Sequence, residues 1–481
     1  MQIYGQSEFS VVANPVVSSN PSTVLYDTFA SFTEGATNYN YSLVNGIAYV
    51  STVTAGKDPL VKCLDSDAQP PINAIVDALM DAAPISSAST SGLIECTNGE
   101  TFKVSLNNVD FAVCYWGSSG FTLHGSEMDI AVEYMKTRAD ISAPSGVDKQ
   151  GCVAAVSPSP TTSVGKSMLI GKPVVSSAVR SLEEVSADFL DILKPDLPSC
   201  TCKSEPRPCL FVHGLGIGKE EPENLDAFPQ YWGNLTDHAP CCTSMKYTVL
   251  NTLNYSWTDD QQQEKLCDRA LSVSDTSEGT TIADTIIISH SMGGLIIAGA
   301  LANGKCKFAA STTWVAISSP MRGSMAAGYF QESCKGNTNL VYEKFVNTTG
   351  FCPADEGIKS LAYQGEKYSN PKLDAAYKAA QKAYQKHVYA LMCSNAFTGL
   401  TSDTQAPYWI LGLTIPHKSK KNDGMVEFFS CAGGFPASKF GDNWRDRFYV
   451  TKLTHDDTTF RNGDALLNEA KMPVKWFECL L

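Results

Sequence analysis

The stretch Thr285-Ile286-Ile287-Ile288-Ser289-His290-Ser291-Met292-Gly293-Gly294-Leu295-Ile296-Ile297 leaves the chain few choices. A β-branched run ends at Ser289, small residues follow, and an apolar run of helix-compatible residues continues to Ala302. This pattern predicts a buried strand, a sharp turn and a helix. A serine at the apex of such a turn has a strained backbone and an outward hydroxyl. The first N–H groups of the new helix point at whatever bonds to it. The spacing fits G-x-S-x-G with Ser289 in place of the first glycine. Both flanks must be small because the helix passes close over the strand, and serine meets that demand. The same letters occur in ordinary strand–helix turns, so a chemical role for Ser291 depends on partners elsewhere in the chain.

The 481 residues exceed what one core usually holds and suggest two domains. With 43% hydrophobic and 18% charged residues the chain is globular rather than disordered. A formal net charge of −13 argues against nucleic acid or an anionic membrane surface as the main partner. Sixteen cysteines are spread along the chain. Cys200-Thr201-Cys202 and Cys241-Cys242 do not have zinc-site spacing, so disulfides in an oxidising compartment are expected. Sequons at Asn40, Asn234, Asn254 and Asn347 agree with secretion. Met1-Gln2-Ile3-Tyr4-Gly5 has neither the basic nor the apolar region of an export signal, and no apolar stretch is long enough to cross a bilayer. The ending Phe477-Glu478-Cys479-Leu480-Leu481 is neither a GPI-anchor tail nor a prenylation box.

Residues 1–152 read as a smaller α+β domain. Phe102, Val104 and Leu106, then Val109, Phe111, Val113 and Tyr115, then Met128, Ile130, Val132 and Tyr134, alternate with polar residues as half-buried antiparallel strands do. A turn is expected at Asn107-Asn108. Ile72, Ile75, Val76, Leu79 and Met80 share one helical face, giving a curved sheet with a helix against it. Cys63, Cys96, Cys114 and Cys152 can supply two bridges of undetermined pairing. His124 stands alone, and this domain offers no chemical constellation. Its readings are a lipid- or partner-binding sheet, a spacer or a folding module. Residues 153–204 read as a Pro/Ser/Thr-rich linker around Ser157–Ser163, a helix near 178–193 and a cysteine-rich joint.

The second domain, 205–481, opens on an apolar strand running into His213-Gly214-Leu215-Gly216. A glycine-rich bend at a strand end exposes backbone N–H groups. The N–H of Leu215 therefore becomes a candidate oxyanion donor beside that of Met292. A strand at 249–255, a polar helix at 260–271, the stretch around Ser291, and a strand at 312–317 ending in Ser318-Ser319-Pro320-Met321-Arg322-Gly323-Ser324 follow. This alternation predicts a mainly parallel sheet.

Here the chain resembles the α/β-hydrolase superfamily, in its lipase and GPI-inositol-deacylase-like branch. The residues that carry the resemblance are Phe211–Gly216, Ser289–Gly294 and Ser319–Ser324, the last similar to the T-P-h-R-G-S turn of that branch. It covers about 205–481 and implies an α/β-hydrolase domain with a serine nucleophile. It further implies that 325–405 is an insertion acting as a cap or lid, a possible peripheral contact with lipid surfaces. One face of a helix in that insertion carries Leu373, Tyr377, Ala380, Tyr384, Val388 and Leu391.

A serine hydroxyl needs a histidine to take its proton and a carboxylate to hold that histidine. This fold places them in the order Ser, acid, His. Tyr408-Trp409-Ile410-Leu411 reads as the next core strand, and Asp423 is the first acid beyond it, in Asn422-Asp423-Gly424-Met425-Val426. Related lipases carry their acid in a similar turn. Asp403, Asp442 and Asp446 are the alternatives. His455 is the single histidine beyond Asp423 and follows a strand over 448–453. His417 is its best rival by position, while His238 and His387 sit in polar or helical contexts. Some bacterial lipases of this branch bind calcium near the position of Asp457, so that residue is a weak calcium candidate, and no other cofactor is expected.

The expected activity is that of a secreted serine carboxylic-ester hydrolase acting on a lipid or lipid-like ester. Ser291, Asp423 and His455 are its catalytic candidates, with Leu215 and Met292 as oxyanion donors. The alternatives are an acyltransferase with the same triad, or a non-catalytic binding or adhesion protein on a hydrolase fold. A peptidase would share the triad as well.

Overall fold

The computed structural model describes every residue except 1–5, 7, 17–22, 57, 65–71, 86–95, 97–98, 107–108, 126–127, 146–151, 173, 175–199, 337, 339–351, 403 and 466–467. The turn expected at Asn107-Asn108, the helix at 178–193, the sequon at Asn347 and the alternative acid Asp403 lie outside the described residues. The chain divides into two compact units, Met1–Pro198 with Ala465–Asn468, and Ser199–Asp464 with Glu469–Leu481.

Among the described residues the first unit holds two antiparallel sheets, where one was expected. Val12–Val16, Thr23–Glu34, Thr37–Val44, Ile47–Thr54 and Leu60–Leu64 form a meander. One of its hairpins turns at Asn45-Gly46, both with positive φ, the pair that a tight hairpin favours. The second sheet runs through Ala83–Pro84, Glu100–Leu106, Val109–Tyr115, Phe121–His124 and Asp129–Val132. Its register sets Phe102 against Val113 and Val104 against Phe111, all buried with Leu79 of the helix Ile72–Met80. The alternation had predicted that face. Bridges Cys63–Cys152 and Cys96–Cys114 use the four cysteines expected.

The reading of 157–163 as an unpacked linker is corrected. Ser159–Pro160 pairs with the strand Thr23–Glu34, and the Thr162 hydroxyl caps the helix Ser163–Leu169. Threonine is a good N-cap whatever the composition around it.

The second unit is built on a six-stranded sheet in which every neighbouring pair is parallel. In chain order its main elements are β1 (Arg207–Val212), β2 (Cys242–Thr248), α1 (Asp260–Leu271), β3 (Ile286–His290), α2 (Met292–Ala302), β4 (Thr313–Ile317), α3 (Met325–Ser333), α4 (Pro371–His387), β5 (Val388–Ser394), α5 (Gln405–Thr414) and β6 (Phe448–Thr451). The strand order is β2-β1-β3-β4-β5-β6. The chain leaves β1 toward one side and resumes at β3 on the other. A crevice at the carboxyl ends of β1 and β3 is where such sheets hold ligands. From Met292 to Ala300 every residue of α2 is buried, as a helix apolar all round must be. Gly299 allows the close approach of α1, since a Cβ there would lie 2.5 Å from Gln263 Nε2.

Three expectations fail in this unit. The strand expected at 249–255 is displaced to β2, because the Cys209–Cys242 bridge and pairing with β1 select the earlier residues. Tyr408–Leu411 lies within α5, not in a strand. A four-residue apolar run does not distinguish a strand from a buried helix turn. The strand slot is filled instead by β5, which takes Val388 and Leu391 out of the helix to which they were assigned. It follows that 325–405 is not wholly an insertion. Leu373, Tyr377, Ala380 and Tyr384 of α4 pack into the same core as Leu295 and Ile296 of α2. Helix α4 is the crossover that leads into β5. Among the described residues no helix is long and apolar enough to cross a membrane.

Candidate active site

Ser291 follows β3 directly and has φ 52° and ψ −129°, a conformation that costs a non-glycine residue about 1–3 kcal/mol. The crowding around it explains the small residues. A Cβ on Gly293 would lie 2.5 Å from the carbonyl of His213, and one on Gly294 would lie 2.0 Å from Ser319 Oγ. Ser289, standing where the motif has glycine, accepts a hydrogen bond from Trp314 Nε1 at 2.8 Å. Its hydroxyl is thus satisfied inside the core.

Ser291 Oγ lies 2.9 Å from His455 Nε2, and His455 Nδ1 lies 2.7 Å from Asp423 Oδ2. All three side chains are buried. Asp423 Oδ1 accepts from the N–H groups of Met425 and Val426, and the Asp423 carbonyl accepts from the His455 N–H at 2.8 Å. With its Oδ1 committed to the turn, Asp423 directs Oδ2 to the imidazole. That bond places the proton on Nδ1 and leaves Nε2 free to accept from the serine. The Ser319–Ser324 turn braces the acid: Ser324 Oγ donates to the Met425 carbonyl at 2.5 Å, and Ser430 Oγ donates to Gly323 at 2.6 Å.

The bend after β1 comes equally close. A Cβ on Gly214 would lie 2.5 Å from Ser291 Cβ. The Gly214 carbonyl accepts from His213 Nδ1 at 2.7 Å and Thr252 Oγ1 at 2.9 Å, while His213 Nε2 accepts from the Leu250 N–H at 2.9 Å. These bonds fix the peptide plane that carries the Leu215 N–H, because N–H and C=O point in opposite directions across a trans peptide. Burial pushes His213 down to about 4, against the opposing pull of its two backbone bonds, so it is neutral at pH 7. Neither the Leu215 nor the Met292 N–H is engaged in a hydrogen bond among the described residues. Thr252 carries no sequence signal for its position, whereas Ser324 closes the Ser319–Ser324 turn that the sequence singles out.

The remaining candidates lie elsewhere. His417 pairs with Glu427 at 2.7 Å, His238 with Glu478 and His124 with Asp129, each at 3.1 Å, while the His387 ring packs on Phe308. Asp446 accepts from the Asn443 N–H, and no described histidine pairs with Asp442 or Asp446. Around Asp457 the residues do not fit calcium. Its oxygens accept from the N–H groups of Leu400 and Thr454, from Thr454 Oγ1 and from Asn462 Nδ2. Donors surround this carboxylate, whereas a calcium ion needs a shell of oxygen acceptors. Its bonds hold the loop on which His455 sits.

No protein-family model matches the chain, and no curated protein matches it. Solved structures similar to it include lipase BlEst2 of Bacillus licheniformis in its propeptide form, at 14% identity and a TM-score of 0.32 over 53% of this chain. The chain spans about half of that protein, 48%. Staphylococcus hyicus lipase is 15% identical with a TM-score of 0.28, over 58% of this chain and 94% of the other. Lipase 1 from Pelosinus fermentans is 14% identical with a TM-score of 0.29, over 57% and 97%. Each likeness is remote.

Proposed function

We propose that the second unit is an α/β-hydrolase domain and that the protein is a secreted serine hydrolase of carboxylic esters, with a lipid or lipid-like ester as substrate. The observation that carries this reading is the continuous Ser291–His455–Asp423 hydrogen-bond chain at the carboxyl ends of the parallel strands. Ser291 Oγ attacks the acyl carbonyl as its proton passes to His455 Nε2. The N–H groups of Leu215 and Met292 bind the oxyanion, a donor pair in which each member is worth about 3 kcal/mol. His455 then protonates the departing alcohol, leaving an acyl-serine. Water repeats the sequence in reverse: His455 takes its proton, the oxygen attacks the acyl carbon, and the proton returns to Ser291 as the acid leaves. Asp423 holds the imidazole and keeps its own charge throughout.

One feature favours an oxidising compartment. All sixteen cysteines are joined in eight bridges, which a reducing cytosol would not maintain. The test is a hydrolysis screen over p-nitrophenyl esters of increasing chain length, with Ser291→Ala as control. Turnover by wild type that falls at least a thousandfold in Ser291→Ala is expected. Equal turnover in the two would refute the reading. Adding an acceptor alcohol and analysing products separates hydrolysis from acyl transfer.

A further inference from the structure

Beyond the triad, one hydrogen-bond chain joins the oxyanion bend to the histidine loop. Tyr231 sits in the short helix Pro229–Trp232, which begins on a proline and ends at Gly233 with positive φ. Its hydroxyl accepts from the Gly214 N–H at 2.7 Å and lies 2.6 Å from His290 Nδ1. On the other side of that ring, His290 Nε2 lies 3.0 Å from the His455 carbonyl. The phenol has one proton, and the Gly214 N–H already donates to its oxygen, so the proton goes to His290 Nδ1. His290 therefore carries its own proton on Nε2 and donates it to the carbonyl of the catalytic base.

This arrangement requires His290 to be neutral. Burial, then the neighbouring His455, holds it well below its ordinary value. The His290 and His455 ring centroids are 4.7 Å apart, so a second positive charge there would oppose the imidazolium that forms on His455. The short helix is also tied to the base loop from outside. Arg461 Nη1 donates to the Gln230 carbonyl at 3.2 Å, and Arg461 pairs with Asp456, the residue after His455. A Cβ on Gly214 would lie 2.9 Å from the Tyr231 hydroxyl, so the glycine that admits Ser291 also admits the tyrosine.

We propose that Tyr231 and His290 form one positioning unit, which holds the Gly214–Leu215 bend and the His455 backbone in register across the attacking serine. Neither side chain touches the reacting atoms. They set the distance between the group that removes the proton and the donors that receive the charge. This inference rests on the hydrolase reading of Ser291, and its test separates the two.

The test measures kcat and KM for p-nitrophenyl butyrate, with active sites counted by a fluorophosphonate, in wild type, Ser291→Ala, Tyr231→Phe, His290→Leu, His290→Gln and the double variant Tyr231→Phe/His290→Leu. Tyr231→Phe and His290→Leu are expected to lower kcat per titrated site about 10- to 100-fold, with KM within about twofold, since small misplacements act on the transition state. The double variant should be no worse than the poorer single, because both changes disable one unit. His290→Gln keeps a donor and an acceptor and should recover most of the loss. A kcat per site within twofold of wild type in both single variants would overturn the proposal, as would losses that multiply or a Gln variant as poor as Leu. Wild type that neither turns over nor reacts with the phosphonate would instead overturn the hydrolase reading.

Discussion

At the scale of single residues, the site depends on which nitrogen of each buried imidazole carries the proton. His455, His213 and His290 each have a donor on one side and an acceptor on the other, so the bonds select which ring nitrogen of each donates. For His213 this has a consequence for stability. The folded protein holds it down to about 4 while the unfolded chain titrates near its ordinary value of 6.5. Between those two values the unfolded state binds more protons, so stability rises with pH there. The His213 contribution is complete above about pH 6.5 and is lost as the pH falls toward 4, amounting to about 3 kcal/mol. Urea unfolding from pH 7 to 4 should lose stability more steeply in wild type than in His213→Asn, and equal slopes would contradict this. The sequence marked Ser291 by its small neighbours, Asp423 by the Asn422-Asp423-Gly424 turn and His455 as the single histidine beyond that acid. Tyr231 and Thr252 were not legible, because each acts across a distance in sequence through a single hydroxyl that no local pattern marks.

The elements divide the same way. Helix α1 and the β3–turn–α2 unit were legible in the sequence, and both appear within a residue of the expected bounds. The failure around α4, β5 and α5 has one cause. An apolar run is compatible with either structure, and the choice was made by a vacant place in the sheet between β4 and β6. With β5 in that place, α4 becomes scaffold. Tyr377 is fully buried against Trp257, ring centroids 5.0 Å apart, and its hydroxyl donates to the Ser360 carbonyl at 3.0 Å. Tyr377→Ala should therefore destabilise the protein by about 3–5 kcal/mol, the range for losing a core aromatic. Its kcat per titrated site should remain within about twofold of wild type. A large kcat change with little loss of stability would mean that α4 moves with the reaction as a lid does.

For the whole molecule, the disulfides indicate what the sequence count could not. Cys200–Cys479 joins positions 279 residues apart and closes the second unit near both of its ends, where the Lys203 N–H also donates to the Leu481 carbonyl. Loops of that length give a bridge its largest effect on the unfolded chain, and removing it should cost about 2–5 kcal/mol. Thermal unfolding of Cys200→Ala/Cys479→Ala against wild type measures this, and unchanged melting would contradict it. Number and oxidation state were legible from composition, but pairing was not, because it depends on which Cβ atoms the finished fold brings together. What all these parts position is one serine oxygen. The most direct measurement is intact-protein mass spectrometry after brief exposure to a fluorophosphonate, with the adduct mapped by peptide digestion. One adduct on Ser291 is expected in wild type, and almost none in His455→Ala over the same interval. A wild-type protein that takes up no label, or His455→Ala labelling as fast as wild type, would contradict a serine activated by that histidine.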